Sequence, residues 1–310
     1  MSADLRLASV LIVFLIFSSC SKDDSKNAMG RVPPLQKPGP AQPPRSPNPN
    51  AHCIPESDLV KTTVEKSNGI VGGERIYPGN ADAKRVVLLF DTKGAICTAT
   101  PIARDVLLTA AHCAQGLVKN YLAIFHTALS CESGFDARDV AMVSSVNEMV
   151  VHEAYIDNAP ANELVGDLAL IFLKKDIPVE YPIYKLAKPA QMTLENSIYF
   201  FGYGAIGYQM GSSGMLRKTE LPSSKYTIDQ TQKKVLLDQT SGHGVCSGDS
   251  GGPGLVSIDG ELQILAVNSY VSSSPLSSDA CKGNATLVLT DSYRDWIAVK
   301  LAARNRYLRQ

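Results

Sequence analysis

The sequence predicts an all-β body closed by one C-terminal α-helix and preceded by a leader and a tether. Two observations carry most of that prediction. Short β-branched or aromatic runs recur at Arg85–Phe90, Asp105–Thr109, Leu122–His126, Leu168–Leu173, Ser197–Phe201, Gln263–Val267 and Thr286–Thr290, with turn residues between many of them. Helical spacing enters only at the end, in Tyr293, Trp296, Ile297 and Leu301. The 310 residues, 45% of them hydrophobic, allow one or two domains with ample core. Lys+Arg and Asp+Glu are both 30, so the net charge is zero and gives no reason to expect nucleic acid or acidic lipid as a partner.

The leader begins with Arg6 and an apolar run from Leu7 to Phe17, the length of a signal-peptide core and too short to span a bilayer. The run ends in Phe17-Ser18-Ser19-Cys20, which resembles the bacterial lipoprotein signal, with Phe17 where leucine is usual. That resemblance implies cleavage before Cys20 and acylation of its thiol, making 1–19 a signal peptide. An ordinary secretory signal beside an incidental cysteine is the alternative; both readings export the mature chain, the first to the bacterial cell envelope. Residues 20–50 read as a lipid-anchored linker: Pro33, Pro34, Pro38, Pro40, Pro43, Pro44, Pro47 and Pro49 crowd it, and too few apolar residues remain to bury. It would hold the body off a membrane. With Cys20 set aside, six of the seven cysteines remain, which in an exported chain read as disulfides of undetermined pairing. Arg304, Arg306 and Arg309 crowd the end of the predicted helix, where the dipole favours cations.

The chemistry centres on Cys246-Ser-Gly-Asp-Ser-Gly-Gly-Pro253. A serine hydroxyl such as that of Ser250 needs a base to take its proton, and the base needs a carboxylate to orient it. All five histidines, at 52, 112, 126, 152 and 243, precede Ser250. Gly248-Asp-Ser-Gly-Gly252 also fits the G-x-S-x-G elbow, but that fold places its histidine after the serine, so it would lack a base here. His112 stands out in Leu107-Leu-Thr-Ala-Ala-His-Cys113, and Asp167 in Gly166-Asp-Leu-Ala-Leu-Ile171. The order His, Asp, Ser is the chymotrypsin order.

These motifs, with Ile70-Val-Gly-Gly73 and Gly202-Tyr-Gly204, resemble the chymotrypsin-like (trypsin-family) serine proteases over residues 70–310. The resemblance implies a two-barrel all-β fold with a C-terminal helix, peptide or protein substrates, no cofactor or metal, and a monomer. It implies Ser250 as nucleophile, His112 as general base and later acid, Asp167 as the carboxylate fixing the imidazole tautomer, and the N–H groups of Gly248 and Ser250 as oxyanion hole. A catalytically silent binding module on the same fold is the rival reading, and an esterase-like hydrolase with the same triad a third.

It further implies a zymogen. Residues 51–69 would be a propeptide, and cleavage before Ile70 would free an amino group that pairs with Asp249. The residue before the cut is Gly69 rather than Arg or Lys, so the activating protease must accept small residues, this enzyme itself being one candidate. The resemblance pairs Cys97 with Cys113 and Cys246 with Cys281; Cys53 and Cys131 are left to each other, which would keep the propeptide attached. It places Gly244 at the floor of the specificity pocket, with Val245, Ser269, Tyr270, Val271 and Ala285 around it. That set resembles the elastases, which cleave after small aliphatic residues; chymotrypsin-like preference is second. Glu132, Asp136 and Asp139 lie where some members hold calcium, and a solvated acidic loop is the expectation here.

Overall fold

The structure, a computed structural model, describes residues 70–129, 142–159, 165–205, 214–275 and 279–310. The predicted signal peptide, linker and propeptide, with Cys20 and Cys53, lie outside the described residues, as do Cys131, Glu132, Asp136 and Asp139. A two-residue strand, β1 (Glu74–Arg75), opens the body. Then β2 (Val87–Asp91), β3 (Ile96–Ala103), β4 (Val106–Thr109), β5 (Tyr121–Ile124), β6 (Val143–Val151) and β7 (Ala169–Leu173) close a barrel in the order β2-β3-β4-β7-β6-β5.

The second half adds β8 (Ile198–Gly202), β9 (Arg217–Leu221), β10 (Tyr226–Asp229), β11 (Lys234–Asp238), β12 (Pro253–Ile258), β13 (Glu261–Ser272) and β14 (Asn284–Leu289). With β1 they form an eight-stranded sheet ordered β1-β9-β8-β12-β13-β14-β11-β10. A 3₁₀ turn, Thr290–Tyr293, leads into the one α-helix of the described residues, α1 (Arg294–Ala302). A closed barrel, a second sheet and a single terminal helix are the chymotrypsin-like two-barrel architecture. No helix among the described residues is long and apolar enough to cross a membrane.

Packing explains why several strands read as unbroken apolar runs. All five residues of β7 and all four of β4 are buried, so both faces are covered. One apolar cluster takes Leu88, Leu107 and Ile171 of the barrel, Leu255, Ile264 and Val267 of the second sheet, and Ile297 and Leu301 of α1. Burying each such side chain contributes about 1.5–3 kcal/mol before entropy is charged against it.

Each of the seven predicted runs falls on a strand, although His126 lies past the end of β5 and β13 runs longer than its predicted core. The strands β3 and β12 were masked in the sequence by Pro101 and Pro253, since proline cannot donate to a ladder. The structure places Pro101 beside a register shift in the β3–β4 pairing and Pro253 at the first position of its strand.

The three terminal arginines need a correction. They lie beyond α1, and only Arg304 caps it, through Lys300 C=O (2.9 Å). Their main partners are acids elsewhere: Arg304 on Glu148 (2.8 Å), Arg306 bidentate on Asp105 (2.6 Å to each oxygen) and Arg309 on Glu261 (2.7 Å). Discrete carboxylates outcompete a diffuse dipole for a guanidinium fork.

Candidate active site

Strand register brings His112 and Asp167 together. β4 and β7 pair antiparallel with Thr109 opposite Ala169. The 3₁₀ turn Ala111–Ala114 follows β4 directly, and Asp167 stands two residues before β7, so both side chains leave the barrel at one end. The His112 N–H donates to Asp167 Oδ1 (3.0 Å), and Nδ1 meets Oδ2 at 2.9 Å. A carboxylate only accepts, so the proton of a neutral imidazole is placed on Nδ1 and Nε2 is left as acceptor. Ser269 Oγ also donates to Oδ2 (2.5 Å). Asp167 is fully buried, which works against its charge; the His112 side chain, then Ser269 and the His112 N–H, outweigh burial and hold its pKa below the usual carboxylate value.

The loop carrying Ser250 is tied on all sides. Asp249 N–H donates to Cys246 C=O (3.0 Å) and Gly252 N–H to Asp249 C=O (2.9 Å), two tight turns flanking the serine. Asn268 Nδ2 holds the same Asp249 carbonyl (3.0 Å), and Thr98 N–H in β3 donates to Ser250 C=O (2.8 Å). The Cys246–Cys281 disulfide braces this loop, and Cys97–Cys113 braces the turn of His112. Ser250, His112 and Gly248 line one cleft of about 270 Å³. Gly248 adopts φ +95°, a conformation that favours glycine. Among the described residues neither the Gly248 nor the Ser250 N–H has a protein acceptor.

A buried carboxylate that orients a histidine, a serine in the same cleft and two free backbone donors beside it are the parts of a serine hydrolase site. A family model described as Trypsin matches residues 70–297.

The chain belongs to the trypsin family.

It is a serine endopeptidase, a hydrolase. Similar proteins include the rat chymotrypsin-like elastase family member 1, 26% identical over 214 residues, 65% of this chain and 77% of that protein. The human protein of the same name is 25% identical over 232 residues, 70% of this chain and 85% of its own length. Guinea pig coagulation factor IX is 26% identical over 217 residues, 65% of this chain and 72% of that protein.

In this trypsin-family protease a cavity of about 220 Å³ lies beside Ser250, lined by Val245, Ser269, Tyr270 and Val271. Two residues expected there line no part of it. Ala285 is buried in the apolar cluster behind, cross-strand from Val271 and Leu237. Gly244 is buried against the Gln239 side chain: a Cβ on it would come within 2.2 Å of Oε1. Ser269, read as pocket wall, does double service through its bond to Asp167. That contact spans 102 residues, and no local motif signals it. Gln239 and Asn268 were likewise invisible to motif reading.

The proposed activation pair lies in the same half. Ile70 is buried among Phe200, Leu221 and Val245, and Val71 C=O accepts the Gly244 N–H (2.8 Å). Asp249 is fully buried; its Oδ1 accepts from Gly204 N–H (2.8 Å) and its Oδ2 from Cys246 N–H (2.9 Å). Gly202 and Gly204 leave it room, since a Cβ on either would fall 2.2–2.5 Å from the carboxylate. Burial pushes Asp249 up to about 7, offset only in part by those two N–H donors and by the buried Arg217 guanidinium. Burial pulls Arg217 down to about 10, against the attraction of Asp249.

Two other features carry no catalytic side chain or free ligand. A larger cavity, about 670 Å³, is lined by Gly72, Glu74, Tyr199, Lys218 and His243, and none of Ser250, His112 and Asp167 reaches it. Donor atoms of Cys97, His112 and Cys113 lie within 4.8 Å of one another, but the two sulfurs are spent on their disulfide.

Proposed function

We propose that this protease hydrolyses peptide bonds through Ser250, His112 and Asp167, and that it cuts after small aliphatic residues. The observation that supports the triad most directly is the double hydrogen bond of His112 to buried Asp167 beside the cleft of Ser250. In the proposed cycle His112 Nε2 takes the Ser250 proton as Oγ attacks the carbonyl carbon. The developing oxyanion is received by the N–H groups of Gly248 and Ser250. His112 then protonates the leaving amine, an acyl-enzyme forms, and water deacylates it by the same route. Asp167 stays ionised and stabilises the imidazolium.

The pocket reading rests on Val245 and Val271, which narrow a small cavity beside Ser250. The rest of the proposal concerns residues before Ile70. A signal peptide (1–19), a lipid-anchored linker (20–50) and a propeptide (51–69) would export the chain, tether it and keep it inactive until cleavage. Asp249, buried with only partial compensation, favours a cation arriving from the new Ile70 amino group.

The test uses protein lacking residues 1–50 and processed before Ile70, with peptide amides ending in alanine, valine, phenylalanine or arginine. Cleavage after alanine or valine that is lost in Ser250→Ala supports both parts. Cleavage after arginine or phenylalanine keeps the triad and overturns the pocket; no cleavage of any amide overturns the triad.

A further inference from the structure

Gln239 follows β11 and is wholly buried. Its carboxamide is anchored at three points. Oε1 accepts the Val245 N–H (2.7 Å), while Nε2 donates to Val245 C=O (3.1 Å) and to Cys281 C=O (3.2 Å). Both amide protons are thereby used, and no donor remains for a ligand. The group is locked against the backbone of Val245, which lines the pocket, and of Cys281, whose disulfide partner Cys246 lines it too.

What Gln239 occupies matters as much as what it bonds. An ideal Cβ on Gly244 would lie 2.2 Å from Oε1, 2.4 Å from Cδ and 2.6 Å from Cγ. The space into which a floor side chain at 244 would point is already filled by the neighbouring glutamine. Neither Gly244 nor Gln239 is in the lining of the pocket, which has about 220 Å³ of room and includes Val245, the residue next to Gly244.

We propose that Gln239 is the plug that sets the depth of the specificity pocket and so restricts this protease to small aliphatic side chains before the scissile bond. The inference rests on the pocket reading above and adds the residue that enforces it. Volume does the excluding; the three hydrogen bonds keep that volume in place. Gln239 touches no reacting atom, so its influence falls on substrate choice and leaves the chemical step alone.

Three processed enzymes test this: the parent, Gln239→Ala and the volume-conserving Gln239→Met, assayed on amides ending in alanine, valine, leucine or phenylalanine. Gln239→Ala is expected to raise kcat/KM for leucine or phenylalanine relative to alanine by about tenfold or more, chiefly through KM. Gln239→Met is expected to keep the parent's ratios within about threefold, because an apolar chain of similar size still fills the space. Unchanged ratios in an active Gln239→Ala enzyme overturn the plug and leave the small-residue reading standing. An equal shift in Gln239→Met also overturns it, since hydrogen bonding rather than volume would then set the depth. A parent that prefers phenylalanine overturns both. Where Gln239→Ala does not fold, Gln239→Asn, which withdraws the amide by one methylene, is read in its place. Where the parent cleaves no amide, the crystal structure of the Gln239→Ala protein decides: a deepened cavity supports the plug, and an unaltered one overturns it.

Discussion

At the scale of single residues, two buried aspartates are treated in opposite ways. Asp167 is over-supplied with donors and stays ionised; Asp249 is under-supplied and is raised to about 7. Removing the hydroxyl that serves Asp167, in Ser269→Ala, deletes a hydrogen bond to a charged group worth about 1.5–3 kcal/mol. We expect kcat to fall by roughly tenfold or more with KM little changed, measured on the preferred amide; a loss confined to KM would mean that Ser269 serves only as pocket wall. Asp249 gives a pH signature. Its folded pKa lies above the unfolded value of about 4, so the uncut chain takes up a proton on folding. That contribution is complete below about pH 4 and is lost as pH rises toward 7. Urea unfolding of the uncut Ser250→Ala protein between pH 4 and 7 should show the decline, and Asp249→Asn or processing before Ile70 should abolish it. Asp167 acts with the opposite sign and in a lower window, its stabilisation being lost as pH falls through its depressed pKa.

At the scale of elements, the helix and the barrel meet at the carboxylate's back. Tyr293, just before α1, accepts the Gly166 N–H through its hydroxyl (3.2 Å), and Gly166 precedes Asp167. The Tyr293 and Trp296 rings stand 5.0 and 4.9 Å from the His152 ring, and the backbone N–H of His152 donates to Leu168 C=O (3.0 Å). Tyr293→Phe leaves the buried Gly166 donor unpaired at a cost of about 1–3 kcal/mol. A lower urea midpoint with an unchanged slope, accompanied by reduced kcat, is expected; full activity would show that Asp167 needs no support from the helix. This is also where legibility divides. His112, Asp167 and Ser250 each sit in a short local run that suggests its chemistry, and Trp296, Ile297 and Leu301 betray their helix by spacing. The contacts of Tyr293 with Gly166, of Ser269 with Asp167 and of Gln239 with Val245 join distant or motif-free positions and leave no periodic trace. Half-exposed β6, with Ser145 and Asn147 facing out, gave too little apolar pattern to be seen.

At the scale of the whole molecule, the tail after α1 straps the two halves. Arg304 pairs with Glu148 and covers the Phe172 ring at 4.8 Å, both in the first barrel. Arg306 forks onto Asp105 beside β4, while Arg309 reaches Glu261 in β13 and Ile183 C=O between the halves. Most surface ion pairs contribute little, but Asp105 is mostly buried and bidentately bound, so Arg306→Ala strands it. We expect a loss of about 1–3 kcal/mol, read as a Tm lower by about 2–4 °C for each kcal/mol, with the substrate profile unaltered. Lysine at 306 should recover only part of this, since it cannot fork.

The contact between Tyr293 and the turn of Asp167 also bears on when the enzyme can come into being. A polypeptide is made from its N-terminus, so the barrel with His112 and Asp167 emerges first, Ser250 later, and the bracing tyrosine almost last. A partly made chain therefore carries Asp167 on a turn that nothing yet backs, and the support closes only when the last turn before the terminal helix has been added.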